Sequence, residues 1–114
     1  MNTQPLISVI IPVYSGSHLL HRAVESALAQ TVSLEIIVIN DCSPEAVDGV
    51  MAAYADNPAI IYLKNPQNMG AAETRNRGVS HAKGKYVAFL DADDYWAENE
   101  LEQQLALLEQ TGCV

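Results

Sequence analysis

Four short runs rich in Val and Ile, separated by stretches with helical periodicity, constrain this chain more than any other feature. The runs are Ile7–Val13, Glu35–Asn40, Ile60–Leu63 and Tyr86–Leu90. Three of them are nearly continuous in apolar residues, the pattern of a strand buried on both faces. Between them, His18–Gln30 places Leu19, Leu20, Ala23, Val24, Ala27 and Leu28 on one stripe, with Ser17 as the expected N-cap. Ser43 followed by Pro44 marks the expected start of a second helix, Pro44–Tyr54. A third helix, Ala71–Ala82, follows Gly70, and a fourth, Ala97–Gln110, ends before Gly112, a residue type suited to the position after a helix. The order βαβαβαβα requires right-handed crossovers and a parallel sheet with helices on both faces. The expected fold class is therefore α/β, a Rossmann-like three-layer sandwich with a mostly parallel sheet, in one domain of 114 residues.

Charge and cysteine content narrow the functions open to such a fold. The formal net charge is −8, which argues against nucleic acid as a partner, because phosphate contacts need a basic face. Five of the six basic residues, Lys64, Arg75, Arg77, Lys83 and Lys85, lie in one stretch where Glu73 is the only acid. A basic island in an acidic chain suits a small anionic ligand or a polar helix face. Cys42 and Cys113 are far apart and form no CxxC pair, so neither a zinc framework nor a disulfide scaffold is expected. Cys42 reads as a small filler. The apolar stretch from Leu6 to Tyr14 is far shorter than the ~20 residues that span a bilayer. It has no preceding Lys or Arg and so does not read as a signal peptide. A cytoplasmic location is the expectation.

In open parallel sheets ligands bind at the carboxyl ends of the strands, here Pro12–Gly16, Asn40–Ser43, Lys64–Gly70 and Asp91–Asp94. Asp91, Asp93 and Asp94 crowd three carboxylates into four residues, which must be solvated or neutralised. A hard divalent cation is the natural partner, and Mg²⁺ usually takes one or two carboxylates plus substrate phosphates; the alternative is an acidic turn capping the next helix. Asp41 can accept a hydrogen bond from a base or ribose, or serve a turn. Pro12 lacks an N–H and suits a strand end. Arg75 offers a planar fork to phosphate or a base edge, whereas Arg77 reads as part of a solvated face. Gly78 inside a helix costs ~1 kcal/mol relative to Ala, which points to close packing on a neighbour. His18, His21 and His81 lack metal-ligand spacing and read as surface residues. Tyr95 and Trp96 could wall a sugar site or pack in the core. Neither GxGxxG after the first strand nor a P-loop motif is present.

Taken in order, Ile10-Ile11-Pro12-Val13-Tyr14, Ile39-Asn40-Asp41-Cys42-Ser43, Asn68-x-Gly70-x4-Arg75-Asn76-x-Gly78 and Phe89-Leu90-Asp91-Ala92-Asp93-Asp94 resemble the inverting glycosyltransferases of family 2, which have the GT-A fold. Each motif alone is weak, and the ordered set spans nearly the whole chain. The resemblance implies a nucleotide-sugar site, with a UDP-sugar favoured. It puts Pro12, Val13 and Tyr14 beside base and ribose, Asp41 on the base, and Arg75 near base and phosphates. It also puts Asp91 on ribose or sugar, and makes the Asp91–Asp93 pair, chiefly Asp93, the ligands of Mn²⁺ or Mg²⁺. Ser15, Asn40, Cys42 and Thr74 depart from the family's usual Asn, Asp, Gly and Ala.

The resemblance further implies that residues 1–114 are the donor-binding part of a truncated GT-A domain, with the acceptor-binding half and the general base beyond Val114. It therefore assigns no catalytic residue here, and gives the full protein a saccharide or lipid-linked acceptor and a possible place on the cytoplasmic face of a membrane. Two other functions compete: a nucleotide-binding module without catalysis, and a haloacid-dehalogenase-like phosphotransferase. The latter needs Ser or Thr soon after the second Asp, where Asp94-Tyr95-Trp96 stands here. A sheet built for more strands leaves an open edge, so a homodimer through that edge is expected.

Overall fold

The computed structural model describes the backbone of residues 4–111 and the side chains of residues 4–107. The expected helix stop at Gly112, and Cys113, lie outside the described residues. The elements in chain order are β1 (Ile7–Val13), α1 (Ser17–Leu28), β2 (Leu34–Asn40), α2 (Val47–Met51, extended by a 3₁₀ turn at Ala52–Tyr54), β3 (Ile60–Lys64), α3 (Ala71–His81), β4 (Tyr86–Phe89) and α4 (Glu100–Thr111). All strands are parallel, in the order β3-β2-β1-β4.

Alternation along the strands assigns the two faces of the sheet. Ile7, Val9, Ile11 and Val13 of β1, with Ile36 and Val38 of β2, pack against Leu20, Ala23, Val24 and Ala27 of α1, Val47 and Met51 of α2, and Leu101 of α4. Ile10, Ile37 and Ile39 point the other way, toward α3. Both faces of β1 and β2 are thus buried, which is why their sequences are apolar at nearly every position. Ile10, Ile11, Ile36, Ile37 and Ile39 are fully buried, each contributing roughly 1.5–3 kcal/mol by leaving water. Glu35 is, with Asn40 at the strand's end, one of two polar exceptions within β2. It is buried beside Ser8, its partner in register, and its Oε2 accepts the Ser8 hydroxyl at 2.5 Å and the Lys83 N–H at 2.7 Å. No buried side-chain N or O among the described residues lacks a partner.

Three helix starts differ from expectation. Ser17 is not the N-cap of α1; Gly16 is, in the left-handed region at φ 86°, and the Ser17 N–H is satisfied by the Glu45 carboxylate at 2.8 Å. Ser43 does not start α2, which begins after Ala46. Its hydroxyl instead donates to the Tyr14 carbonyl and accepts the Glu45 N–H, tying the ends of β1 and β2 together before the helix begins. The fourth helix starts at Glu100 rather than Ala97; Gln30 stands in for the Leu101-to-Ala97 helical bond, its Nε2 donating to the Ala97 carbonyl and its Oε1 accepting the Leu101 N–H.

Candidate functional site

β2 and β3 lie to one side of β1 and β4 to the other, so chain direction across the sheet reverses between β1 and β4. The crevice at that reversal is where open α/β sheets bind ligands. A cleft of about 200 Å³ lies there, lined by Pro12–Ser15 after β1, Asp41 after β2, Ala71, Thr74 and Arg75 of α3, and Asp91–Asp93 after β4. Every residue expected from the sequence to carry the site, Pro12, Val13, Tyr14, Asp41, Arg75, Asp91 and Asp93, borders this one cleft. A larger cleft of about 810 Å³ lies at the opposite end of the sheet beside Glu35 and Lys83, away from the strand ends where such sheets place ligands.

The walls are fixed by main-chain bonds that prolong the ladder. The Asp41 N–H donates to the Val13 carbonyl at 2.8 Å, Asn65 N–H to the Asn40 carbonyl at 2.8 Å, and Leu90 N–H to the Ile10 carbonyl at 3.0 Å. Tyr14 projects from this frame, about half exposed. Asp41 is 4% exposed, and its carboxylate is the hub of the β3–α3 loop. Oδ1 accepts Asn65 Nδ2 at 2.9 Å and the Met69 N–H at 2.7 Å, and Oδ2 accepts the Gly70 N–H at 3.0 Å and Asn68 Nδ2 at 3.2 Å. Burial works against the charge, but the donors from Met69, Asn65, Gly70 and Thr74 outweigh it and hold the Asp41 carboxyl below its ordinary pKa. A carboxylate has about four lone-pair sites, and loop donors occupy them.

Across the cleft, Arg75 faces Asp91 at 4.0 Å with both side chains partly in solvent, a weak pair that leaves the guanidinium fork available. Asp93 is exposed, and its carboxylate has no hydrogen bond or ion pair with any described residue. Asp94 does not line the cleft; its Oδ1 accepts the Tyr95 N–H at 2.8 Å, so this third carboxylate serves the local turn. The described residues hold no group of three or more His, Cys, Asp or Glu side chains gathered for a metal. Two carboxylates on one cleft do fit a hard cation that completes its shell from phosphate oxygens and water, and they do not fit a site closed by protein alone.

Several residues that shape the site escaped the sequence reading. Asn65 is 4% exposed; it bridges Asp41, Thr74 Oγ1 at 3.1 Å and, through Oδ1, Arg77 at 2.7 Å. Arg77 is therefore a loop anchor, bonded also to the Lys64 carbonyl, rather than a solvated charge. Thr74 is fully buried, and its hydroxyl donates to the Gly70 carbonyl at 2.7 Å. Cys42 is exposed, not a core filler, and adopts φ 54°. Trp96 packs on the core while Tyr95 is exposed. His18, His21 and His81 are exposed. An adjacent Asn and a distant Arg give no motif, and their roles arise only when the loop closes on Asp41.

The chain matches the profile of Glycosyl transferase family 2 over residues 8–114. It belongs to that family. It is 39% identical over 105 residues to WfaP of Escherichia coli, a UDP-Glc:alpha-D-GlcNAc-diphosphoundecaprenol beta-1,3-glucosyltransferase, covering 91% of this chain and 41% of that protein. It is 36% identical over 116 residues to TuaG of Bacillus subtilis (strain 168), a provisional teichuronic acid biosynthesis glycosyltransferase, covering 98% of this chain and 45% of that one. In fold it resembles the mannosyltransferase PcManGT of Pyrobaculum calidifontis, solved with GDP-Man and Mn²⁺, with a TM-score of 0.83 over 93% of this chain and 33% of that chain at 24% identity. The family 2 chain described here thus spans less than half the length of these relatives. Its four-stranded parallel sheet between helices is the α/β arrangement of GT-A glycosyltransferases. None of its described helices is long and apolar enough to cross a membrane.

Proposed function

We propose that this chain is the donor-binding half of a glycosyltransferase that transfers a sugar from a nucleoside-diphosphate sugar, a UDP-sugar being favoured. The observation that carries the reading is the convergence of Pro12–Tyr14, Asp41, Arg75, Asp91 and Asp93 on one cleft at the strand-order reversal. In this reading base and ribose lie along Pro12, Val13 and Tyr14. Asp41 serves the base by holding the Asn68–Gly70 backbone against it, because its own oxygens are occupied by that loop. The Arg75 fork meets the phosphates, and Asp91 and Asp93 hold Mn²⁺ or Mg²⁺ against the diphosphate. A bound divalent cation would offset the negative charge that builds on the departing nucleoside diphosphate. Arg75 lies 4.0 Å from Asp91, so the cationic fork stands beside the carboxylate pair.

The cleft of about 200 Å³ is smaller than the ~300–1,000 Å³ of ordinary ligand pockets. The remaining length of the relatives therefore supplies the rest of the enclosure, the acceptor site and the general base, which must reach the acceptor hydroxyl. This chain alone then binds donor without turning it over. A saccharide or lipid-linked acceptor, met at the cytoplasmic face of a membrane, fits the acceptor in the name of WfaP.

Calorimetric titration of UDP, GDP and dTDP with and without Mn²⁺ tests the reading. Metal-dependent binding of UDP above the other two, lost in Asp93→Asn, is the expected result. Equal and metal-independent binding of all three would reject the site assignment, and tighter GDP binding would overturn the uridine preference alone.

A further inference from the structure

The segment that follows the acidic cluster has almost no backbone pairing of its own. Between Leu90, which bonds back to Ile10, and the first turn of α4, where Asn99 accepts the Gln103 N–H, its main chain makes only local turn bonds, from the Asp94 N–H to the Asp91 carbonyl and from the Glu100 N–H to the Ala97 carbonyl. Its course is set instead from about 70 residues away in sequence. Arg22 and Ser26 of α1, and Gln30 just past its end, stand four residues apart and so lie on one stripe. Each is bonded to this segment's backbone. Arg22 Nη2 donates to the Asp93 carbonyl at 3.1 Å. The Ser26 hydroxyl accepts the Trp96 N–H at 3.1 Å. Gln30 Nε2 donates to the Ala97 carbonyl at 2.8 Å, and its Oε1 accepts the Leu101 N–H at 2.9 Å. The Arg22 guanidinium also lies over the Tyr95 ring, 4.3 Å from its centre.

We infer that this polar stripe is the template for the acidic loop, and that Arg22 is a positioning residue for the Asp93 carboxylate. The second half rests on the donor-site reading; the first stands on the hydrogen bonds alone. Arg22 grips the carbonyl of Asp93 itself, so it fixes the peptide plane from which the side chain leaves. Gly16, at the start of α1, lies beside the same residue: a Cβ placed there would meet the Asp93 Cβ at 3.5 Å, an ordinary contact. With its backbone held at the carbonyl, Asp93 presents its carboxylate from a fixed point on the cleft wall. Groups that orient a metal-binding side chain typically cost 10–100-fold in affinity when removed. Arg22 is exposed, so the lower end of that range applies.

Two measurements test this. The first is amide hydrogen exchange on the ligand-free chain. Ser26→Ala should remove protection at the Trp96 amide, and Arg22→Ala should speed exchange across residues 94–97 with β1 and β2 unchanged. The second is titration with UDP, with and without Mn²⁺. Arg22→Ala should weaken the Mn²⁺-dependent binding about tenfold while leaving metal-free UDP binding as in the wild type, and Arg22→Lys should recover part of the loss. Unchanged exchange in both variants would overturn the template, and unchanged Mn²⁺-dependent affinity in Arg22→Ala would overturn the positioning role. If the wild type shows no Mn²⁺-dependent UDP binding, the donor-site reading and the positioning role fail together, and the exchange data alone decide the template.

Discussion

Asp41 and Cys42 are neighbours with opposite energetic accounts. The Asp41 carboxylate collects two backbone N–H groups and two Asn side chains, and hydrogen bonds to a charged group are worth about 1.5–3 kcal/mol each. Asp41→Asn leaves some of those donors facing an amide NH₂, so a loss of about 2–3 kcal/mol is expected at pH 7. Because the folded-state pKa is lowered, this stabilisation is fully present above the usual aspartate pKa of about 3.9. It fades as pH falls through the lower folded value. The gap between wild type and variant in urea unfolding should therefore shrink from pH 7 to pH 3; a constant gap would show that charge is not the source. Cys42 sits at φ 54°, a region that costs a residue with a Cβ roughly 1–2 kcal/mol. Glycine escapes that cost and gives back part of it as unfolded-state entropy. Cys42→Gly should raise stability by roughly 0.5–1 kcal/mol, and a lower melting temperature would contradict it.

Helices α2 and α3 each contain a glycine, and their surroundings assign opposite outcomes to one substitution. A Cβ on Gly78 of α3 would lie 2.6 Å from Ile10 Cγ2 and 2.9 Å from Ile39 Cδ1, in the buried centre of the sheet, whereas one on Gly49 of α2 would meet nothing within 4 Å. Alanine gains ~1 kcal/mol of helix propensity at either site, but overpacking at Gly78 costs about 1–3 kcal/mol. Gly78→Ala should destabilise and Gly49→Ala should stabilise, and chemical denaturation of both that showed the same sign would refute this account. The close packing at Gly78 was legible in the sequence because a helical glycine is costly without a reason. The strands were legible too, since burial on two faces leaves unbroken Ile and Val. The helix starts were not: Ser17 and Ser43 look like caps, yet Glu45 from another loop serves α1, and the Ser43 hydroxyl is spent on Tyr14. In the site, the residues at strand ends could be read from position alone. Asn65, Arg77, Arg22 and Gln30 could not, because each bonds to groups that only the tertiary fold brings within reach.

At the scale of the molecule the layers are unequal. α1, α2 and α4 cover one face of the sheet, whereas α3 covers β1 and β2 on the other, leaving Val87 and Phe89 of β4 at 39% and 50% exposure. Among the described residues β4 is also an edge strand, so unpaired main-chain groups and uncovered apolar side chains occur there on one element. Such an edge is a template for another strand. We propose that a second copy of this chain fills it, since two identical edges can meet about a twofold axis, with the β4 strands antiparallel and Phe89 buried at the join. The opposite edge is less suited to pairing: β3 ends in Lys64, which is engaged with Asp48 at 3.2 Å. Light scattering across a concentration series should show a dimer that Phe89→Lys dissociates, because a charge at the join would have to be buried without a partner. A wild-type chain that stays monomeric at every concentration would refute the pairing. The site at the reversal between β1 and β4 borders the same strand, so dimer formation should also slow exchange of the Leu90 amide, which bonds back to Ile10 beside the cleft.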